Sequence, residues 1–250
     1  MLFTFLDGAM FGEKIGDGKP SILFLHGWRR THEDFLKIAN SDLLPGSLLI
    51  DLPGFGASPP PFEVSGAYEY AQMILPILDE MNNEILIVGH SFGGRVGIAL
   101  AKLGEGRVKG LLLTGVPIID LNKTVKISSS LKFAKKMKKL GIVSDQYVEK
   151  KKKSTGSIDY RLAEGIMRDV LVKVLSESRD GKYIDTLETL KIPIKLIWGE
   201  NDAEVSLNVA KEVVRKVPQI ELKVISGANH MVILDKEDDF IAGIRELVEK

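Results

Sequence analysis

The stretch 85–100, ILIVGHSFGGRVGIAL, constrains the fold more than any other part of this chain. The apolar run Ile85–Val88 predicts a buried strand, and the small and apolar residues after Gly94 recur at the spacing of a helix. Between the two, residues 89–93 (GHSFG) leave room only for a tight turn, called the elbow below. Glycine on either side of Ser91 predicts close packing of this turn, with the serine in a strained backbone conformation at a helix N-terminus.

Strand-like runs alternate with helical patterns through most of the sequence. Continuous apolar runs indicate strands buried on both faces, as in a parallel sheet whose crossovers contain helices. The predicted strands are 1–6, 9–15, 21–25, 48–50, 85–88, 108–114, 192–198 and 222–225. The predicted helices between them are 31–40, 65–81, one after the elbow, 206–216 and 236–248. The sequence therefore predicts an α/β fold with a mostly parallel central sheet flanked by helices.

Residues 117–185 break this alternation. Strand-like runs stop there, and apolar residues at helical spacing predict helices over 131–140 and 160–175. We expect the segment to form a helical cap, inserted between two parts of the α/β core at 1–116 and 186–250.

Composition excludes several classes of function. Lys+Arg and Asp+Glu are both 34, and this zero net charge argues against nucleic-acid binding. A lysine-rich run in the predicted cap, 149–153 (EKKKK), is expected to be solvated. The absence of cysteine and the presence of only four histidines argue against thiol catalysis and a metal site. The start, MLFTFLDGAM, does not resemble a signal peptide, and no apolar run approaches the roughly 18–20 residues of a membrane span, so we expect a cytoplasmic protein.

Polar residues follow several of the predicted strands. The carboxyl ends of parallel strands meet at one edge of a sheet, and active sites lie at that edge. Ser91, Asp202 and His230 each follow a different strand, so we expect them to lie together. His230 would accept the proton of the Ser91 hydroxyl, and Asp202 would hold the imidazole in the required tautomer. Glu200 stands close enough in sequence to be an alternative to Asp202.

Two backbone N–H groups are candidates for stabilising the negative oxygen of a tetrahedral intermediate. Phe92 follows the serine directly, and Trp28 lies in the loop after the strand 21–25. The Trp28 ring is also expected to line a substrate pocket. From the cap side, we expect Ile166, Met167 and Leu171 to line the same pocket, because they recur at helical spacing.

The remaining histidines and one aspartate receive structural roles. His26 and Asp51 each directly follow a predicted strand and are expected to brace the loops that begin there. His90 is expected to point away from Ser91, and His32 is expected to be exposed in the first helix.

Five motifs, in order and spread over nearly the whole chain, carry a resemblance to a known family: HGW (26–28), DLPGFGAS (51–58), GHSFGG (89–94), WGEND (198–202) and GANH (227–230). With them the chain resembles α/β-hydrolase fold proteins of the capped serine esterase and C–C hydrolase type. The resemblance is closest to the biotin-pathway carboxylesterases and their small-ester relatives. It implies the same triad and oxyanion residues and no cofactor.

Departures from other branches of that family narrow the resemblance. The nucleophile position is a serine and not an aspartate, unlike haloalkane dehalogenases and epoxide hydrolases. The HGW motif differs from the HGGG of hormone-sensitive lipases and the HGGPG of proline iminopeptidases. The sequence therefore predicts a carboxylic ester hydrolase acting on a small-molecule ester through an acyl-enzyme. Hydrolysis of a C–C bond or a thioester on the same triad stays open, as does, more distantly, a slow-turnover ligand receptor.

Overall fold

A computed structural model describes residues 2–121, 133, 137–138, 143–144, 146–147 and 158–249. The described strands are β1 (Leu2–Phe5), β2 (Met10–Ile15), β3 (Ile22–Leu25), β4 (Ser47–Asp51), β5 (Ile85–His90), β6 (Val108–Thr114), β7 (Ile194–Gly199) and β8 (Glu221–Ile225). They form one sheet in the order β1-β2-β4-β3-β5-β6-β7-β8. β2 pairs antiparallel with β1 and β4, and every other neighbouring pair is parallel.

Helices cover both faces of this sheet, and the predicted fold class is confirmed. The described α-helices are α1 (Leu36–Ala39), α2 (Ala67–Ile74), α3 (Phe92–Leu103), α4 (Ile158–Leu162), α5 (Gly165–Glu177), α6 (Lys182–Thr189), α7 (Leu207–Lys216), α8 (Val232–Asp235) and α9 (Glu237–Val248). Short 3-10 helices are Leu6–Gly8, His32–Phe35 and Leu75–Glu80.

The central strand β5 explains why its sequence is an uninterrupted apolar run. Ile85 and Ile87 belong to the apolar cluster shared with α2, α3, α6 and α7, whereas Leu86 and Val88 belong to the cluster shared with α1, α8 and α9. Successive side chains of a strand point to opposite faces, so a strand covered on both sides needs apolar residues at every position. Full burial of each such side chain contributes about 1.5–3 kcal/mol.

Two of the predicted helices are shorter than their apolar patterns. The segment predicted at 65–81 leaves the α-helical conformation at Leu75 and continues as a 3-10 helix. Pro76 lacks the N–H that an α-helix needs at this point, which accounts for the change. The helix predicted at 31–40 begins with the 3-10 turn His32–Phe35 and only then becomes α1.

The predicted cap is described only in its second half. The pattern at 160–175 corresponds to two helices, α4 and α5, separated by Ala163 and Glu164; α5 begins at Gly165, whose φ of +50° favours glycine. The predicted boundary between cap and core at 185/186 falls inside α6, which packs against α3. The helix predicted at 131–140, apart from positions 133 and 137–138, and the run 149–153 lie outside the described residues. None of the helices within the described ranges has the length and hydropathy needed to cross a bilayer.

Candidate active site

The elbow has the strained geometry that its glycines predict. β5 ends at His90, Ser91 adopts φ 50° and ψ −113°, and α3 begins at the next residue. A side chain is excluded at Gly93, because a Cβ there would lie 2.2 Å from the carbonyl oxygen of Leu25 at the end of β3. The turn therefore holds the serine at the carboxyl edge of the sheet and at the N-terminus of a twelve-residue helix, where N–H groups favour negative charge.

His230 and Asp202 are brought together from the loops after β8 and β7. His230 Nδ1 lies 2.8 Å from Asp202 Oδ2, and both side chains are buried. The other carboxylate oxygen of Asp202 accepts hydrogen bonds from the N–H groups of Glu204 and Val205, at 2.9 and 2.8 Å. These two bonds fix the carboxylate, so the oxygen facing His230 has a defined direction.

Glu200, the alternative acid, is hydrogen-bonded to the loop before His230. Its carboxylate accepts hydrogen bonds from the Ser226 hydroxyl at 2.7 Å and from the Gly227 N–H at 3.1 Å. These bonds hold the loop that leads from β8 to His230. Glu200 therefore supports the loop. Among the described residues, its side chain makes no hydrogen bond to the His230 ring.

Ser91 and His230 line one cleft of about 310 Å³ at the carboxyl edge of the sheet. Its described lining consists of Gly27, Trp28, Arg29, Arg30, His90, Ser91, Asp159, Glu204, His230 and Met231. A larger cavity of about 540 Å³ lies at the opposite edge, beside the start of β5, and is lined by none of the predicted site residues. The chemistry-bearing side chains thus converge on the smaller cleft.

The two predicted oxyanion donors come from different elements, and one of them, Trp28, lines this cleft. Trp28 follows β3, and Phe92 opens α3. Among the described residues, neither backbone N–H donates to another protein group, so both are available to a ligand. The Trp28 ring packs edge-on against Phe55 and Phe92, with centroids 4.9 and 5.5 Å apart, which fixes the loop that carries its amide.

Buried histidines support the loops around the cleft. His26 Nε2 accepts a hydrogen bond from the Leu52 N–H at 2.9 Å, and its Nδ1 donates to the Gly27 carbonyl at 2.7 Å. Burial lowers the pKa of His26 to about 4 and that of His90 to about 3, so both rings are neutral near pH 7. His26 braces the loop as predicted. His90 lines the cleft, with its ring 4.8 Å from that of His230, and the orientation of its side chain away from Ser91 stays a prediction.

Asp51 fastens the segment 51–58, and His32 is part of the same network. Asp51 Oδ1 accepts from the His32 N–H and lies 2.8 Å from His32 Nδ1, while Oδ2 accepts from the Ala57 N–H at 2.9 Å. The expectation that His32 is exposed is wrong, because the ring is buried against this carboxylate. Burial by itself would raise the pKa of Asp51, but the hydrogen bonds outweigh it and hold that pKa below its ordinary value.

We expect Asp51→Asn to lower the free energy of unfolding by about 1–3 kcal/mol at pH 7, because an amide cannot accept all of these bonds. A carboxyl whose pKa is depressed by folding stabilises the fold above its unfolded pKa, and that contribution disappears as the pH falls through the folded value. Urea unfolding should therefore show a difference between wild type and variant that shrinks below about pH 4. Asp42→Asn, at an exposed position, is the control. A difference that grows on acidification would contradict the prediction.

The predicted pocket residues of α5 do not line the cleft that contains Ser91. Met167 packs against Gly54 and near the Tyr70 hydroxyl, with 3.9 Å between Sδ and that oxygen. Ile166 is partly buried against the core, and Leu171 is buried. Of the four predicted binding residues, only Trp28 borders the cleft, and substrate contact by the other three stays a prediction.

Arg95 is a buried residue that sequence reasoning missed. Its guanidinium donates to the carbonyls of Pro117, at 2.7 and 3.0 Å, and of Val174, at 2.6 Å, and also to the Ser178 hydroxyl. It thereby joins the helix that begins at the elbow to the C-terminal end of α5. A charged residue within an otherwise apolar helix pattern, GRVGIAL, was the available signal.

Comparisons with known proteins assign the chain to a family. The profile of the alpha/beta hydrolase family matches residues 22–243, so the chain belongs to that family. A 2-hydroxy-6-oxononadienedioate/2-hydroxy-6-oxononatrienedioate hydrolase of a Pseudomonas species is 24% identical over 94% of this chain and 90% of its own length. Monoacylglycerol lipase ABHD6 of Homo sapiens is 21% identical over 87% of this chain and 72% of its own length. A thermophilic esterase from Thermogutta terrifontis has the same fold, with a TM-score of 0.67, 20% identity and coverage of 96% and 93%.

Within the described residues, no group of three or more His, Asp or Glu side chains is arranged to hold a metal ion.

Proposed function

We propose that this protein is a serine hydrolase that cleaves carboxylic esters of small molecules. The observation that carries the proposal is the pairing of His230 Nδ1 with Asp202 Oδ2 at 2.8 Å beside a serine held in a strained turn on the same cleft. A serine hydroxyl is a weak nucleophile until a base removes its proton, and these residues supply a base and an acid that orients it.

The reaction follows from these groups in two halves. Ser91 Oγ forms a bond to the ester carbonyl carbon while His230 Nε2 takes the hydroxyl proton. The N–H groups of Trp28 and Phe92 bind the negative oxygen, which develops at the N-terminal end of α3. The protonated His230 then gives its proton to the departing alkoxide, which leaves the acyl group on Ser91. Water, deprotonated by the same imidazole, releases the acid and restores the hydroxyl.

The proposed division of the chain matches this mechanism. Residues 1–116 and 186–250 would supply the reacting groups, and 117–185 would cover them as a cap that selects the substrate. One contact supports the last point: Arg29 Nη1 lies 3.2 Å from Asp159 Oδ1, so the loop that carries the Trp28 amide is joined to α4.

A second candidate is hydrolysis of a dienedioate, because one relative is named for that substrate. A thioester would also fit the same mechanism. A dienedioate carries carboxylates that need a positively charged partner. Both arginines of the cleft, Arg29 and Arg30, are already paired with carboxylates of the protein, which favours the ester.

The test is covalent labelling combined with a substrate panel. We expect a fluorophosphonate to add one label, located at Ser91 by peptide mass spectrometry, and p-nitrophenyl esters of increasing acyl length to be hydrolysed. Matched thioesters and a dienedioate should react with lower kcat/KM. Absence of both labelling and ester turnover would contradict the proposal. Preferential turnover of the dienedioate would instead support the second candidate, C–C bond hydrolysis.

A further inference from the structure

One carboxylate in the cleft has no part in the proposed mechanism. Glu204 lies two residues after Asp202, and its Oε2 is 3.6 Å from His230 Nε2, the ring nitrogen on the side away from Asp202. Its position is fixed at the backbone, because its N–H donates to Asp202 Oδ1. The backbone of Glu204 is therefore fixed, and its carboxylate lies beside the nitrogen that exchanges protons with the substrate in the proposed mechanism.

The positive charges on the rim of the cleft are already neutralised. Arg29 pairs with Asp159, and Arg30 donates from Nε to Asp34 Oδ2 at 2.6 Å and from Nη2 to the other carboxylate oxygen. Arg30 also feels the charge of Glu204, but its hydrogen bonds go to Asp34.

Glu204 is different from the other rim carboxylates. Among the described residues, its recorded ion-pair contact is with His230 alone, and its side chain is 73% exposed. Because Arg29 and Arg30 are paired with Asp159 and Asp34, the charge of Glu204 is not taken up by a hydrogen-bonded arginine among the described residues, and it lies beside Nε2.

We propose that Glu204 determines leaving-group specificity, so that the cleft accepts esters with a neutral or cationic alcohol part and selects against anionic ones. This inference rests on the proposed ester hydrolysis, because it assigns the substrate class of that same site. An anionic leaving group must receive its proton from His230 Nε2 while within several ångströms of the Glu204 carboxylate. Because Glu204 is exposed to solvent, the repulsion is moderate, and we expect about a 3- to 10-fold penalty in kcat/KM.

Three aryl acetates with the same acyl group test this inference. They are methyl 4-acetoxybenzoate, which is neutral, 4-acetoxybenzoate, which is anionic, and (4-acetoxyphenyl)trimethylammonium, which is cationic. Removal of a carboxylate 3.6 Å from Nε2 also affects the protonated His230, and this effect is common to all three esters. In Glu204→Gln we therefore expect kcat/KM relative to the neutral ester to rise about 3- to 10-fold for the anion and to fall by a similar factor for the cation. Comparing each ester between the two proteins cancels its intrinsic reactivity.

Two controls separate this effect from a structural one. Glutamine has the shape of glutamate, and Glu204→Gln keeps the N–H that bonds Asp202, so unchanged circular dichroism and urea unfolding report an intact fold. Glu188→Gln removes an exposed carboxylate on α6, away from the cleft, and should change none of the three rates. Raising the salt concentration should reduce the differences in kcat/KM between the charged and neutral esters in the wild type. The reduction should be smaller in Glu204→Gln, which lacks the charge that salt would screen.

The outcomes distinguish this inference from the proposed function. Turnover of the neutral ester with an unchanged ratio of anionic to neutral rates in Glu204→Gln would overturn the role of Glu204 alone. No turnover of any ester, together with no fluorophosphonate label on Ser91, would overturn the proposed function and this inference with it.

Discussion

Replacement of Ser91 by alanine is expected to lower kcat for ester hydrolysis by at least about 10⁴-fold, because no other group in the proposed mechanism can form the acyl-enzyme. The fold should not suffer. Alanine also has a Cβ, so the strain of the elbow is unchanged, and no hydrogen bond recorded among the described residues uses the Ser91 hydroxyl. Initial rates with p-nitrophenyl butyrate and urea unfolding of the same preparation measure the two effects.

Ser58→Ala is the matched control, because it should lower stability and leave activity largely intact, whereas Ser91→Ala should do the reverse. The Ser58 hydroxyl donates to the Asp51 carbonyl at 2.7 Å and accepts from the Phe11 N–H at 2.9 Å. Its loss should lower the free energy of unfolding by about 1–2 kcal/mol while the folded protein keeps most of its activity. Ester turnover in Ser91→Ala within tenfold of wild type would refute Ser91 as the nucleophile.

Features governed by local backbone rules could be predicted from the sequence. The elbow is an example, because a serine between glycines after an apolar run has few other conformations to adopt. The edge on which Ser91, Asp202 and His230 meet is another, since parallel strands bring their carboxyl ends together whatever the loop lengths are. The first prediction uses a rule for one strand and its following turn, and the second uses the common direction of neighbouring parallel strands.

Contacts between distant segments could not be predicted in the same way. The sequence predicts an exposed His32 in the first helix, yet Asp51, nineteen positions later, binds its ring and its N–H. Arg95 bonds to carbonyls of Pro117 and Val174, and a carbonyl is present at every residue, so composition gives no sign of the partner.

The position of Glu204 has a similar explanation. In sequence it is one more charged residue in a polar turn, and only the direction of His230, set from the far end of the chain, makes it part of the cleft. The spacing of residues in the sequence therefore does not predict that the Glu204 carboxylate lies beside His230 Nε2.

Asp202→Asn should have the second large effect, a loss of about 10³- to 10⁴-fold in kcat. The Glu204 and Val205 N–H groups require an acceptor, so the asparagine carbonyl oxygen would face them and its NH₂ would face His230. His230 Nδ1 would then have to accept, which leaves the proton on Nε2. In that tautomer, the imidazole cannot take the proton of Ser91.

Glu200→Gln is the control, because Glu200 is the acid that sequence alone leaves as an alternative. Its carboxylate bonds to Ser226 and Gly227, so its replacement should loosen the loop and change kcat by no more than about threefold. Initial rates for both variants, with circular dichroism to verify folding, decide between the two acids. Near-normal turnover in Asp202→Asn with a loss of 10³-fold or so in Glu200→Gln would assign the orienting role to Glu200 and require a different geometry of His230 during turnover.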